Sequence, residues 1–148
     1  QWDTALAAAR KHDNRILCEE RIIGSEITVG ILANEALPIV EVSPKAGAYD
    51  YQNKYTVGAT EYFCPADLST EQAEAIAKLG LKAFDAVGGR DFGRVDLMLD
   101  TELSPHVLEV NTLPGLTETS LLPMAATEAG LDFNMLCQRM IELALERN

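Results

Sequence analysis

The stretch Phe92-Gly93-Arg94-Val95-Asp96-Leu97-Met98-Leu99-Asp100 is followed, after a short link, by Val107-Leu108-Glu109-Val110-Asn111. Both pieces alternate apolar and polar residues, which is the period of a half-buried β-strand. Because the link between them is short, they predict an antiparallel hairpin with one apolar face and one polar face.

The register of this hairpin decides which polar side chains meet. A turn with its tip between residues 102 and 103 places Asp96 opposite Glu109, and Arg94 opposite Asn111, on one face. Two opposed carboxylates repel each other and require a cation or a shared proton. Oxygen ligands of this kind are those that Mg²⁺ prefers. The residues therefore indicate a metal site at Asp96, Glu109 and Asn111. Arg94 lies beside it to hold a phosphoryl group or an oxyanion. The alternative is an amphipathic hairpin whose polar face is merely solvated.

Several motifs resemble D-alanine–D-alanine ligases, a family of the ATP-grasp ligases. The C-terminal part of that family is similar to Gly93-Arg94-Val95-Asp96, Leu108-Glu109-Val110-Asn111-Thr112-Leu113-Pro114-Gly115-Leu116-Thr117 and Ser120-Leu121-Leu122-Pro123. Its middle region is similar to Tyr49-Asp50-Tyr51 with Lys54-Tyr55, and to Tyr62-Phe63-Cys64-Pro65-Ala66. The resemblance runs in order from about Ile16 to the end of the chain.

The resemblance implies an α+β fold over residues 1–148, namely the C-terminal portion of an ATP-grasp domain, with a mainly antiparallel sheet packed against helices. Chains of the family are about twice this long, as expected for enzymes with several domains. We therefore expect the N-terminal substrate domain and the phosphate-loop region to be absent from this chain. It opens at Gln1 without an initiator Met, and we interpret it as part of a larger enzyme.

The reaction that the resemblance implies is ATP-dependent ligation of two D-alanines through an acyl phosphate, in bacterial peptidoglycan precursor synthesis. Mg²⁺, or Mn²⁺, on Asp96, Glu109 and Asn111 would neutralise the β- and γ-phosphate oxygens. Arg94 would stabilise the transferring charge. One alternative is another ATP-grasp carboxylate–amine ligase. A second alternative is a nucleotide- or metal-binding fragment without catalytic activity of its own.

The segment before the second predicted strand resembles the family's adenine hinge. The resemblance implies that Glu19 accepts from the adenine amino group, that Glu26 accepts from a ribose hydroxyl, and that Ile22 packs on the base. Glu20 and Arg21 depart from the pair often found there. The alternative is that the acidic residues are solvated charges at a strand edge.

Residues 43–58 form a long loop that is rich in Pro, Gly, Ala and Tyr. A loop of this length indicates a lid, which would keep water away from an acyl phosphate. The resemblance implies that Lys54 reaches the second substrate's carboxylate or the ATP phosphates. Tyr55 would orient the amino group and favour a dipeptide, since relatives that make an ester with D-lactate tend to lack it. The alternative is a mobile surface loop with ordinary tyrosines.

The Pro/Gly loop of residues 112–119 leaves the predicted metal strand. The N–H of Gly115 can approach an oxyanion, because glycine has no side chain to block it. Ser120 and Leu121 would present a hydroxyl and an N–H to a substrate carboxylate. The alternative is a plain connection in which Ser120 caps the next helix, and both can hold together.

The remaining patterns predict the other elements of the fold. Strands are predicted over residues 15–22, 26–32, 37–42 and 61–64, with a tight turn at Asn34-Glu35. Helices are predicted over residues 4–13, 70–87 and 121–129, and from Asp132 onward. The second helix should begin with a capping box, because Gln72 follows Ser69 by three residues. Its apolar face should include Ile76, Phe84 and Val87.

Composition narrows the class of partner. The chain has 148 residues and a formal net charge of −11, which argues against nucleic acid but not against ATP at a local cation site. No apolar run approaches a membrane span. Cys18, Cys64 and Cys137 match no zinc or disulfide pattern, so we expect reduced thiols in a cytoplasmic protein. The resemblance implies ATP and D-alanine as partners, no nucleic acid, no membrane, and a homodimer of the intact enzyme.

Overall fold

The computed structural model describes residues 2–44, 60–117 and 119–146. Within these residues the strands form a six-stranded antiparallel sheet in the order β4-β3-β1-β5-β6, with β2 paired to β1. The strands are β1 Gly24–Leu32, β2 Glu35–Ala36, β3 Val40–Pro44, β4 Thr60–Phe63, β5 Phe92–Asp100 and β6 Pro105–Asn111. The helices are α1 Trp2–Ala9, α2 Thr70–Ala86, α3 Leu121–Glu128 and α4 Phe133–Leu145. The predicted α+β fold with a mainly antiparallel sheet is confirmed.

The sheet separates two hydrophobic cores. On one face, Val95 and Leu97 of β5 pack with Phe84 of α2. On the other face, apolar residues of β1 and β3 pack with Leu122 of α3 and Leu136 of α4. The polar residues of β5 belong to this second face, because side chains alternate along a strand. The fold thus places the predicted site on the side of the sheet that carries α3 and α4.

The capping box of α2 is confirmed by reciprocal hydrogen bonds. The N–H of Gln72 donates to Oγ of Ser69 at 3.2 Å, and the N–H of Ser69 donates to Oε1 of Gln72 at 3.0 Å. The helix ends at Ala86, and Gly88 follows with φ +70, a conformation that glycine adopts without strain. Val87 does not join the apolar face as predicted, since it lies beyond the last helical residue and is 59% exposed.

The β5–β6 hairpin has the predicted pairs, but its turn differs from the predicted one. Asp96 lies opposite Glu109 and Arg94 lies opposite Asn111, which confirms the predicted opposition. Near the turn the pairing is shifted by one residue from the predicted register: Leu99 lies opposite Pro105, and the N–H of Asp100 donates to the carbonyl of Ser104. A β-bulge after Asp96 absorbs one extra residue of β6 and restores the register beyond it. The opposition therefore depends on the bulge and not on symmetric closure of the turn.

The hairpin turn is held by the carboxylate of Asp100. Its Oδ1 accepts from the N–H groups of Glu102 and Ser104, both at 2.9 Å, and its Oδ2 lies 3.0 Å from Nε2 of His106. These bonds lower the pKa of Asp100, with His106 as the largest cause and the N–H of Ser104 next. Because of the bulge, His106 pairs with Met98 and shares the face of Asp96. The contact with Asp100 gives His106 a structural role.

The predicted strand over residues 15–22 is wrong. Residues 16–23 have no regular structure, and Leu17 is 80% exposed. A strand needs a neighbour to satisfy its backbone groups, and none of the described strands pairs with this segment.

Smaller differences occur at turns and ends. The first helix spans Trp2–Ala9 instead of residues 4–13, and β3 begins at Val40 instead of residue 37. The turn before β2 is formed by Ala33 and Asn34, with φ 53 and 63, one residue earlier than predicted. Two consecutive positive φ values are typical of a two-residue hairpin turn, which fixes the pairing of Leu32 with Glu35.

Among the described residues, no helix has the length and apolar character that a membrane span requires. The three cysteines are all free thiols: Cys18 is exposed, while Cys64 and Cys137 are partly buried. Burial, and then the nearby carboxylate of Glu128, raise the pKa of Cys64 to about 11. Its thiol is therefore protonated at neutral pH and is a poor nucleophile.

Two glycines make room for the ring of Phe84, which is 1% exposed. A Cβ on Gly89 would lie 2.5 Å from the ring, and a Cβ on Gly93 would overlap its Cε2 atom. We expect Gly93→Ala to lower the free energy of unfolding by about 1–3 kcal/mol, because overpacking forces the ring from its position. Denaturant unfolding measures this loss.

The matched control for Gly93→Ala is the double variant Gly93→Ala/Phe84→Leu. Its loss of stability should be smaller than the sum of the two single losses, because the smaller side chain relieves the overlap. Additive losses would show that the methyl group does not meet the ring.

Candidate active site

Asp96 lies at the centre of the polar face, midway along β5. On one side its register partner is Thr28 of β1, and on the other side it is Glu109 of β6. Among the residues that the structure describes, the polar side chains in the buried class are Thr28, at 2% exposed, and Asp96, at 6%. The Oγ1 of Thr28 donates to Oδ1 of Asp96 at 2.8 Å. A buried carboxylate is thus held from the β1 side by a buried hydroxyl.

Arg94 grips the same carboxylate with two hydrogen bonds. Its Nε donates to Oδ1 of Asp96 and its Nη2 donates to Oδ2, both at 2.8 Å. The two side chains are only 11% and 8% exposed, so this is a buried bidentate ion pair. The pairing follows from sequence spacing, since residues two apart on a strand share a face. The cation that the opposed carboxylates require is therefore supplied, in part, by the neighbouring guanidinium.

The metal-ligand prediction rests on donor chemistry. Asp96 and Glu109 are register partners, and Asn111 is the next residue of β6 on the same face. Oδ1 of Asn111 accepts from the N–H of Leu113 at 3.1 Å, which leaves it a second lone pair. No cluster of three or more His, Cys, Asp or Glu side chains arranged for a metal occurs within residues 2–44, 60–117 and 119–146. Two carboxylates and one amide fit Mg²⁺, which keeps water or phosphate oxygens in its other positions, better than zinc.

The loop after β6 brings Gly115 and Ser120 together. A Cβ on Gly115 would lie 3.0 Å from Oγ of Ser120. That hydroxyl accepts from the N–H of Thr117 at 3.1 Å and lies 2.8 Å from its Oγ1. Ser120 occupies the N-cap position of α3, as the alternative predicts, but its side chain makes no cap hydrogen bond. The hydroxyl faces the loop, and Leu121 begins the helix with a buried side chain.

The predicted adenine-contacting residues are split between the sheet and the segment before it. Glu26 lies on β1 opposite Met98, two residues before Thr28 and on the same face. Glu19 is exposed and Ile22 is half-buried in the irregular segment before β1. The structure thus brings Glu26, but neither of the other two, onto the face of the sheet that carries the carboxylates. Of the predicted lid over residues 43–58, Ser43 and Pro44 instead end β3, and residues 45–58, including Lys54 and Tyr55, lie outside the described residues.

Thr28 is the contact that the sequence analysis missed. It stands between Ile27 and Val29 in a predicted strand in which only Glu26 was given a functional role. A signal was present, because a hydroxyl in the middle of a buried strand requires a hydrogen-bond partner. The identity of that partner depends on the β1–β5 register, which pairs residues 68 positions apart in the chain.

Comparison with known proteins adds an independent line of support. The family model described as "D-ala D-ala ligase C-terminus" matches residues 1–142. A D-alanine--D-alanine ligase of Methylacidiphilum infernorum is 48% identical over 147 residues, covering 99% of this chain and 48% of that protein. One of Aromatoleum aromaticum is 46% identical over 142 residues, covering 96% of this chain and 46% of that protein. The chain spans about half the length of the curated relatives it matches.

Solved structures show the same similarity. The D-alanine--D-alanine ligase from Bacillus anthracis complexed with ATP has a TM-score of 0.83 and 34% identity, over 98% of this chain and 47% of that one. The VanG D-Ala:D-Ser ligase from Enterococcus faecalis has a TM-score of 0.82 and 29% identity, over 96% of this chain and 42% of that one. The sheet with α2, α3 and α4 is therefore an arrangement found in solved structures of ligases.

Proposed function

This chain belongs to the D-ala D-ala ligase C-terminus family and has the C-terminal portion of the ATP-grasp fold. From that premise we propose that the complete gene product joins two D-alanines into D-alanyl-D-alanine with ATP, as a step of peptidoglycan precursor synthesis. The observation that carries the proposal is the buried Arg94–Asp96 pair with Glu109 in register beside it. The identity of 45–48% to curated D-alanine--D-alanine ligases supports the choice of substrate.

In this proposal the polar face binds the phosphate end of ATP. Asp96, Glu109 and Asn111 would hold Mg²⁺ or Mn²⁺, and the cation supplies charge neutralisation for phosphate oxygens. Arg94, a planar donor with five N–H groups, would hold the transferring phosphoryl group. In support of this role, the guanidinium lies on the same face of the sheet as the carboxylates, and its two hydrogen bonds to Asp96 orient it toward them.

The rest of the substrate contacts follow from neighbouring elements. Glu26, on the face of Asp96, would accept from a ribose hydroxyl, while Glu19 and Ile22 would contact the adenine. The loop that joins Gly115 and Ser120 would place an N–H near the developing oxyanion. The Ser120 hydroxyl and the N–H of Leu121 would bind a substrate carboxylate. Lys54 of the predicted lid would reach that carboxylate or the phosphates.

The reaction would occur in two displacements. A carboxylate oxygen of the first D-alanine attacks the γ-phosphorus, the bond to the bridging oxygen breaks, and ADP leaves with that electron pair. The amine of the second D-alanine then attacks the acyl carbon, and phosphate leaves as the amide forms and the amine loses a proton. Arg94 would stabilise charge in the first step, and Gly115 would stabilise the tetrahedral oxyanion in the second.

The decisive experiment is a coupled assay of the complete gene product. We expect phosphate release from ATP that depends on D-alanine and matches the dipeptide measured by mass spectrometry. L-alanine serves as the control and should give no dipeptide. Phosphate release without dipeptide, or a dipeptide from another amine at a higher rate, would favour a different ATP-grasp carboxylate–amine ligase.

A second candidate is that the 148 residues by themselves bind nucleotide or metal without catalysis. The observation that favours this candidate is the length of the chain, which spans only 48% of the relative from Methylacidiphilum infernorum. Running the same assay on the 148-residue chain distinguishes the two, because D-alanine-dependent phosphate release from that chain would contradict this candidate. We also propose that the complete enzyme is cytoplasmic and forms a homodimer. Light scattering, which measures molar mass in solution, would test the dimer.

The choice between dipeptide and ester is proposed to depend on Tyr55. An amine nucleophile must be oriented and deprotonated, and a tyrosine hydroxyl can join the hydrogen-bond network that does so. We expect Tyr55→Phe to raise the ratio of D-alanyl-D-lactate to D-alanyl-D-alanine by about tenfold, corresponding to about 1.4 kcal/mol of discrimination. Competition between D-alanine and D-lactate measures this ratio.

Tyr62→Phe is the matched control for Tyr55→Phe, because it removes a hydroxyl from β4. Its product ratio should equal that of the wild type. An unchanged ratio in Tyr55→Phe, with both products reduced together, would remove Tyr55 from the choice of nucleophile.

A further inference from the structure

Thr28 occupies a buried position at which an apolar side chain would be sufficient for packing. Its side chain is 2% exposed, and its register partners are Asp96 on β5 and Val40 on β3. Its strand neighbours Ile27 and Val29 are buried as well. Valine has the same branched shape as threonine, so shape does not account for a hydroxyl here. The hydroxyl must be explained by what it contacts.

The hydroxyl has one hydrogen and two acceptors within reach. Its Oγ1 lies 2.8 Å from Oδ1 of Asp96 and 3.3 Å from the carbonyl oxygen of Val95. The shorter contact is also assisted by the carboxylate charge, so the hydrogen is donated to Asp96. Thr28 therefore fixes the rotation of the Asp96 carboxyl group from the neighbouring strand β1.

The two oxygens of Asp96 are consequently different. Oδ1 accepts from Thr28 and from Nε of Arg94, which uses both of its lone pairs. Oδ2 accepts from Nη2 of Arg94, which leaves it one lone pair. A cation that is bound jointly by Asp96 and by Glu109, its register partner on β6, would therefore be coordinated by the remaining lone pair of Oδ2.

We propose that Thr28 is the positioning residue for Asp96 in the metal site. Its hydroxyl holds Oδ1, so that Oδ2 is presented to the divalent cation even when Arg94 turns to a phosphoryl group. The inference rests on the proposed function, because that function assigns the cation and the second task of Arg94. Hydrogen-bond partners of metal ligands typically change metal affinity by about 10–100-fold when they are removed.

The test is Mn²⁺ binding to the complete gene product, measured by electron paramagnetic resonance with a non-hydrolysable ATP analogue present. We expect Thr28→Val to weaken Mn²⁺ binding by about 10–100-fold, and Thr28→Ser, which keeps the hydroxyl, to bind like the wild type. Thr127→Val is the matched control, since it removes a hydroxyl of α3 that donates to the carbonyl of Pro123. It should leave Mn²⁺ affinity unchanged.

Asp96→Asn separates the failure of this inference from the failure of the proposed function. If Asp96→Asn loses Mn²⁺ while Thr28→Val binds like the wild type, Thr28 has no positioning role and the proposed function stands. If Thr28→Ser is as weak as Thr28→Val, the shape of the side chain matters instead of the hydroxyl, and the inference is overturned. If the wild type does not bind Mn²⁺, or Asp96→Asn binds it equally well, both fail. Should Thr28→Val not fold, Thr28→Cys, a weak donor of similar size, takes its place under the same criteria.

Discussion

Glu109→Gln is expected to lower kcat of the complete enzyme by about two to three orders of magnitude, since metal electrostatics contribute several kcal/mol. The substitution keeps the shape of the side chain and removes one of the two opposed charges on the polar face. Glu109 is exposed, unlike Asp96, so its replacement should leave stability nearly unchanged. The measurements are kcat as a function of Mg²⁺ concentration and a thermal unfolding curve.

The matched control for Glu109→Gln is Glu74→Gln. Glu74 is an exposed carboxylate on α2, which packs against the opposite face of the sheet. Its variant changes net charge by the same amount and should retain wild-type turnover and Mg²⁺ dependence. Wild-type turnover in Glu109→Gln at limiting Mg²⁺ would contradict the assignment of Glu109 as a metal ligand.

Arg94→Met is expected to reduce both stability and turnover, for two separable reasons. It leaves the buried Asp96 carboxylate without its bidentate partner, which costs about 3–5 kcal/mol of folding free energy. It also removes the guanidinium proposed to stabilise the transferring phosphoryl group, which should lower kcat by at least about a hundredfold. Denaturant unfolding and the coupled assay measure the two effects.

The double variant Arg94→Met/Asp96→Asn separates these effects. Neutralising Asp96 removes the unpaired buried charge, and the Thr28 hydroxyl can still donate to the amide oxygen. We therefore expect the double variant to recover much of the lost stability, while turnover stays at the level of the single variant or below. Recovery of turnover together with stability would show that Arg94 acts only through folding.

Arg94→Lys adds a further comparison, because it keeps the charge and loses the planar donor geometry. The two parallel bonds to Asp96 at 2.8 Å cannot both be made by an ammonium group in the same way. We expect Arg94→Lys to be more stable than Arg94→Met but still slow. The difference between the two variants measures how much of the effect of Arg94 depends on charge alone.

Local signals in the sequence determined the helices and several strands. The capping box at Ser69 and Gln72, and the short helix after Ser120, are both present in the structure. Asp132 caps α4 by accepting from the N–H of Met135 at 2.8 Å. Each signal is complete within about four residues, so it acts whatever the remainder of the chain does. Family motifs likewise indicated the α+β fold, because they are read directly from the sequence.

Some predictions failed where a segment depends on distant partners. The pattern of residues 15–22 is typical of a strand, but no described strand pairs with it. Alternation along β6 is interrupted by the bulge after Asp96, which a single strand's pattern does not reveal. Strand pairing is a property of two segments together, so one segment alone cannot determine it.

The sequence by itself determined which polar side chains share one face of the β5–β6 hairpin: the oxygen-bearing Asp96, Glu109 and Asn111, and the guanidinium of Arg94. Only the tertiary structure decided how they meet. The bulge sets Asp96 against Glu109, and the β1–β5 register supplies the hydroxyl of Thr28. The physical reason is that residue spacing acts within a few positions along the chain. Arg94, two residues away on β5, therefore meets Asp96 by spacing alone, whereas the Thr28 hydroxyl reaches the carboxylate only because folding pairs β1 with β5.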